Sequence, residues 1–114
     1  MIHTTQLNPN ITVVRPGVER LTAVNAKTFK EEVSLLINSG ATQLIIDFQD
    51  VAFLDSSGLG ALVGVLKKIG HRGDLVVSGL NSDVQQMFRI CRMDRVFTVY
   101  SDVNTAVQSM AEAQ

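Results

Sequence analysis

The chain has 114 residues, with 10 basic and 11 acidic side chains, a formal net charge of −1, 46% apolar residues and one cysteine. That length fits a single domain, 1–114, with a core of its own, and the apolar fraction excludes a disordered chain. Near-neutral charge argues against direct nucleic-acid binding, a lone Cys91 forms neither an internal disulfide nor a zinc cluster, and no apolar run approaches the roughly 20 residues of a membrane span.

The first residues, Met1-Ile2-His3-Thr4-Thr5-Gln6, show no basic stretch followed by an apolar run, so the sequence reads without a signal peptide and as a cytoplasmic protein. His3–Leu7 predicts a short strand, Asn8-Pro9-Asn10 a turn, and the β-branched Ile11–Arg15 a second strand stopped by Pro16-Gly17. A turn that short makes the pair antiparallel. Asn25–Asn38 predicts a helix: Phe29, Val33, Leu36 and Ile37 share one face, Lys27, Lys30, Glu31 and Glu32 the other, and Ser39-Gly40 ends it. Leu44–Phe48 reads as a buried strand, and the short apolar stretch Val51–Leu54 leads into Asp55-Ser56-Ser57-Gly58. A helix over Ser57–Ile69 follows, then a strand at Leu75–Ser78 and a helix over Ser82–Cys91 with Val84, Met87, Phe88 and Cys91 on one stripe. A strand at Val96–Tyr100 and a helix capped by Asp102, with Val103, Ala106, Val107 and Met110 inward, complete the chain. Strands alternating with helices after an antiparallel start predict an α/β fold: a mainly parallel sheet of about five strands, an antiparallel N-terminal edge strand and about four helices. Sites in such sheets form where strands end and helices begin, which directs attention to the turn before Ser57.

Asp55 or Ser56 is placed to cap that helix by accepting its free N–H groups. Gly58, Gly60 and Gly64 fall in its first turns, each at a cost of up to about 1 kcal/mol relative to alanine. Either the helix lies unusually close to its own sheet, or another molecule's backbone approaches here. A phosphate on a serine at this position adds about −1.5 to −2 charge, and a helix N-terminus accommodates it. Enzyme readings are poorer. Gly58, Gly60 and Gly64 miss the G-x-G-x-x-G spacing, no P-loop or G-x-S-x-G occurs, and a triad would need His3, in a fraying N-terminal stretch, or His71, in the polar Gly70-His71-Arg72-Gly73 turn. No cofactor or metal is expected. Cys91 reads as a buried structural thiol. Lys67, Lys68, Arg72, Arg89, Arg92 and Arg95 gather in the second half, either as a solvated face or as a docking patch for an acidic partner.

These residues together resemble the STAS domain family, and within it the stand-alone anti-sigma factor antagonists of bacteria. The likeness covers Leu44–Phe48, Val51–Gly60, Gly73–Val77, Val84–Phe88 and Val96-Phe97; Asp55-Ser56-Ser57-Gly58-Leu59-Gly60 is its specific part. The resemblance implies that Ser57, matching the family's second serine, is phosphorylated by an anti-sigma factor that is also a serine kinase. It implies that the unphosphorylated form binds that kinase and frees a sigma factor, and that a serine phosphatase resets the cycle. The binding surface implied is Asp55, Ser56, Ser57, Gly58, Leu59 and Gly60, together with Thr22. Thr22 stands where the family often has an aspartate, in Glu19-Arg20-Leu21-Thr22 instead of Gly-x-Leu-Asp. A second reading keeps the fold but makes the chain an accessory subunit of a transporter or another signalling assembly.

Overall fold

A computed structural model describes residues 1–112. Its centre is a pair of strands whose sequences leave no polar face to expose. β4 (Gln43–Asp47) and β6 (Asp74–Ser78) run parallel, with Leu44, Ile45, Ile46 and Val77 buried. Outside β4 lies β2 (Thr12–Arg15), and at the edge β1 (His3–Gln6), antiparallel to β2. The Asn8 side chain makes that reversal by accepting the N–H groups of Asn10 and Ile11 at 2.8 and 2.9 Å. A short β7 (Val99–Tyr100) flanks β6, so the order is β1-β2-β4-β6-β7.

Alternation along the strands divides the core. Val14, Ile46 and Val77 face α1 (Ala26–Asn38), α2 (Ser56–Ile69) and α3 (Ser82–Ile90), which contribute Phe29, Val33, Leu62, Val65, Val84 and Phe88. Val13, Ile45 and Val76 face α4 (Val103–Glu112) through Ala106 and Met110. The N-terminus is fastened to α1: the Ile2 N–H donates to the Glu32 carboxylate at 2.8 Å, and the terminal ammonium lies 3.3 Å from it. The Ile2 bond, helped by the ammonium, holds that carboxyl below the usual range.

The predicted elements are present, with four differences. Arg20–Leu21 (β3) and Phe53–Leu54 (β5) form a separate two-stranded parallel sheet that no periodicity announces, because two residues are too few to show one. Hydrogen bonds make it: the Glu19 carbonyl accepts from Ala52 and Phe53, and the Leu21 carbonyl from Asp55. The last strand begins at Val99, not Val96. A 3-10 turn over Met93–Arg95 and the Phe97 N–H bond to the Met93 carbonyl turn Phe97 into the core, 6.0 Å from the Phe88 ring. Helix α2 begins at Ser56, one residue earlier than expected. Cys91 is exposed, not buried: α3 ends at Ile90, so Cys91 leaves the Val84–Phe88 stripe, and Arg92 follows in the left-handed conformation.

Candidate functional site

The turn between β5 and α2 is built around one carboxylate. Asp55 is the N-cap, in extended conformation, and its Oδ1 accepts the Gly58 N–H at 2.9 Å. Its Oδ2 accepts the Ala23 N–H at 3.2 Å, and its own N–H donates to the Leu21 carbonyl. A cap normally serves only its own helix. Here it also joins α2 to the turn that follows β3. That turn is internally braced: the Asn25 side chain accepts the Thr22 N–H at 3.0 Å and donates to the Arg20 carbonyl at 2.9 Å, while the Thr22 hydroxyl accepts the Val24 N–H at 3.3 Å. Thr22 and the serine turn, 33 residues apart in sequence, are therefore held side by side.

The six residues of the motif divide by exposure. Ser56, Ser57 and Gly60 face outward, Asp55 is half-buried, and Gly58 and Leu59 are buried. Leu59 belongs to the core, so it supports the turn from within and offers no surface to a partner. The glycines divide too. A Cβ on Gly58 would stand 2.5 Å from the Leu21 carbonyl oxygen and 2.6 Å from Leu54 Cδ1; this glycine lets α2 approach β3. A Cβ on Gly64 would press on the Lys30 side chain at 2.8 Å. One on Gly60 would meet nothing within 4 Å, so internal packing does not explain that glycine. With no acidic residue in its first turn beyond the cap, the α2 N-terminus presents a positive dipole end beside Ser57.

Next to the serine turn is apolar surface that sequence patterning missed. Val24, on the braced turn, is 92% exposed, Phe53 39% and Ile90 70%. Between β5 and α3 lies a recess of about 360 Å³ lined by Phe53, Leu54, Val84, Met87 and Ile90 among others. The Arg20 guanidinium lies over the Phe53 ring, 4.3 Å from its centroid. One signal was readable: Ile90 lies two residues beyond Phe88, about 200° around the helix, an apolar side chain on a polar face.

The candidate bases are elsewhere. His3 is on the edge strand β1, and His71 lies in the turn beyond the far end of α2, about 20 Å along the helix from Ser57. Among the described residues, no group of three or more His, Cys, Asp or Glu side chains converges to hold a metal, and no helix is long and apolar enough to cross a membrane.

The family model described as STAS domain matches residues 4–106. The chain belongs to the STAS domain family. Two of the curated proteins it resembles are named anti-sigma factor antagonists. A Thermotoga maritima protein named anti-sigma factor antagonist is 26% identical over 103 residues, covering 89% of this chain and 90% of that protein. The anti-sigma-B factor antagonist of Listeria monocytogenes is 30% identical over 78 residues, 68% of each chain. The crystal structure of the Thermotoga protein superposes with a TM-score of 0.85 at 22% identity, over 95% of this chain and 92% of that one. The antagonist SpoIIAA in its unphosphorylated form gives 0.72 at 17% identity, over 97% and 98%. The Bacillus protein has also been solved phosphorylated, with a TM-score of 0.72, 17% identity and coverage of 96% and 99%. These likenesses establish the α/β STAS fold and place the chain among the anti-sigma factor antagonists.

Proposed function

We propose that this STAS domain is a phosphorylation-controlled antagonist: its free form binds an anti-sigma factor with serine-kinase activity, and phosphate on Ser57 blocks that binding. A serine phosphatase reverses the modification. The observation that carries the reading is Ser57 itself: exposed, the second residue of a helix whose first turn is fixed by the Asp55 cap and by Gly58. The SpoIIAA fold, known in both forms, supports the assignment. The chain acts as a switchable surface and not as a catalyst, in keeping with the antagonists it resembles.

The phosphate acts by repulsion and desolvation, not by refolding the turn. Negative charge in the first turn of a helix stabilises it by about 0.3–1 kcal/mol, so the modified protein keeps its fold. Against a docked partner, the same doubly charged group loses water without a matching cation, at a cost of several kcal/mol, or about 10²-fold or more in affinity. The test uses a partner first captured on the Ser57→Ala protein, then purified. Ser57→Asp should retain the wild-type circular dichroism and melting temperature yet bind that protein far more weakly than Ser57→Ala does. Incubation with the partner and ATP should place phosphate on Ser57 by tryptic mass spectrometry. Phosphate mainly on Ser56, or equal affinities for the two variants, refutes the reading.

A further inference from the structure

The carboxyl ends of the strands carry a second polar site, on the sheet face opposite α2. Arg15, Asp47, Ser78 and Tyr100 end four neighbouring strands, with Asp47 in register with Ser78 and Ser78 with Tyr100. They continue the α4-facing rows, one pleat beyond Val13, Ile45 and Val76.

Two of these groups are unsatisfied. Asp47 is 3% exposed; its Oδ1 accepts the Gln49 N–H at 3.0 Å, but its Oδ2 receives no hydrogen bond. The Ser78 hydroxyl is fully buried and also without a partner. Arg15 Nε lies 3.3 Å from Asp47 Oδ2, which makes an ion pair. That separation is longer than the 2.7–2.9 Å of a good charge-assisted bond, and the Arg15 side chain is 52% exposed. Arg15 is thus a loose cover over a buried carboxylate, one oxygen of which has an ion-pair partner but no hydrogen bond, and buried polar atoms in folded proteins are nearly always hydrogen-bonded.

Two recesses open on either side of this pair, and Arg15, Asp47 and Gln49 line both. One, of about 550 Å³, also presents Glu19, Asp50 and Asn81; the other, of about 380 Å³, presents Asp102 and Asn104. Carboxylates outnumber cations in each lining. The occupant favoured is therefore a cation, and recesses of about 550 and 380 Å³ favour an organic one over a bare ion.

We propose that this end of the sheet binds a small elongated amine, one ammonium of which takes Asp47 over from Arg15. An ammonium is compact and carries three donors. It can reach the Asp47 oxygen that the planar guanidinium approaches by one long contact. The rest of the molecule extends into either recess towards Glu19 and Asp50 or towards Asp102. Because Asp47 also anchors the Gln49 N–H, the ligand would steady the loop that runs into β5 and the serine turn.

The probe is spermidine, titrated into the full chain at about 0.15 M salt, where exposed charges further apart than about 8 Å are screened. Amide NMR should show saturable shifts centred on Gln49, Asp50 and Gly79, and Mg²⁺ should not reproduce that map. Asp47→Asn should weaken binding about ten-fold or more, the value of one hydrogen bond to a charged group. Arg15→Ala removes the competitor and should tighten binding several-fold. Since Arg15 is half-exposed, that variant remains informative if Asp47→Asn does not fold. Non-saturable shifts spread over all acidic residues, an identical map with Mg²⁺, or unchanged affinity in Arg15→Ala overturns the proposal.

Discussion

Gly58 and Gly60, two residues apart on one helix, should respond to alanine in opposite ways. Both sit inside α2, where glycine costs up to about 1 kcal/mol relative to alanine. At Gly60 nothing lies within 4 Å of the new methyl, so the full helical gain is available. For a domain of this size, whose unfolding entropy scales with its length, 1 kcal/mol corresponds to roughly 3–5 °C, so Gly60→Ala should raise the melting temperature by up to about that amount. At Gly58 the methyl would meet the Leu21 carbonyl at 2.5 Å and Leu54 at 2.6 Å. One of these is backbone held in the β3–β5 pairing, so the helix must move. Overpacking of this kind costs about 1–3 kcal/mol, which exceeds the propensity gain, and Gly58→Ala should melt several degrees lower. Binding separates the two further. If Gly60 is bare because a partner's backbone lies against it, Gly60→Ala should lose about ten-fold or more in affinity, the cost of overpacking an interface by at least about 1.4 kcal/mol, while gaining stability. Differential scanning calorimetry and titration against the partner captured on the Ser57→Ala protein measure both quantities. A Gly60→Ala protein that is more stable and binds normally would refute the interface argument, and one that is less stable would refute the packing argument.

Asp55→Ala should lose a cap worth about 0.5–2 kcal/mol and, with it, the bond to the Ala23 N–H, so a urea melt should shift and amide exchange should quicken at Ala23 as well as at Gly58. Ile90→Glu, on a side chain 70% exposed, should leave stability within about 0.5 kcal/mol but weaken partner binding measured by calorimetric titration; unchanged affinity would exclude the β5–α3 recess from the interface. The Glu32 carboxyl is held below its ordinary value in the folded chain, so its contacts with Ile2 and the N-terminus stabilise the fold above the usual carboxylate range and are lost as pH falls through the lowered value. Glu32→Gln should accordingly flatten the acid limb of the stability–pH curve between those two points, with little change in its shape at higher pH.

What the sequence made legible follows from how many residues carry each signal. The helix over Ala26–Asn38 has four buried residues at helical spacing, and Leu44–Ile46 is apolar on both faces, so each segment declares its element without knowledge of the rest. The start of α2 was legible for a different reason: Asp55 is an ordinary cap, and glycines in the helix's first turns run against helix propensity, which singled the segment out. What was hidden depends on contacts between distant segments. The β3–β5 pair is two residues on each side and exists because the Glu19 and Leu21 carbonyls find N–H groups more than 30 positions away. Cys91 was misplaced because the stripe ending at Phe88 does not reveal that the helix stops at Ile90.

The same dependence on distant contacts explains why the site is more rigid than its motif suggests. A serine at a helix start, held only by a local cap, would fray with the first turn, since terminal turns have the fewest intrahelical bonds. Here Asp55 reaches from α2 to Ala23, Asn25 braces the turn behind Ala23, and Gly58 lets the helix settle against the Leu21 carbonyl. Each of these ties crosses from α2 to the β3 turn or supports that turn, and none touches the outward faces of Ser57 and Gly60. Under the proposed function that division is useful: phosphate on Ser57 would change what a partner meets, while the bonds that position the serine lie underneath. It also locates Thr22. Its N–H donates to the Asn25 side chain and its hydroxyl accepts from the Val24 N–H, so the residue shapes the turn that carries the exposed Val24.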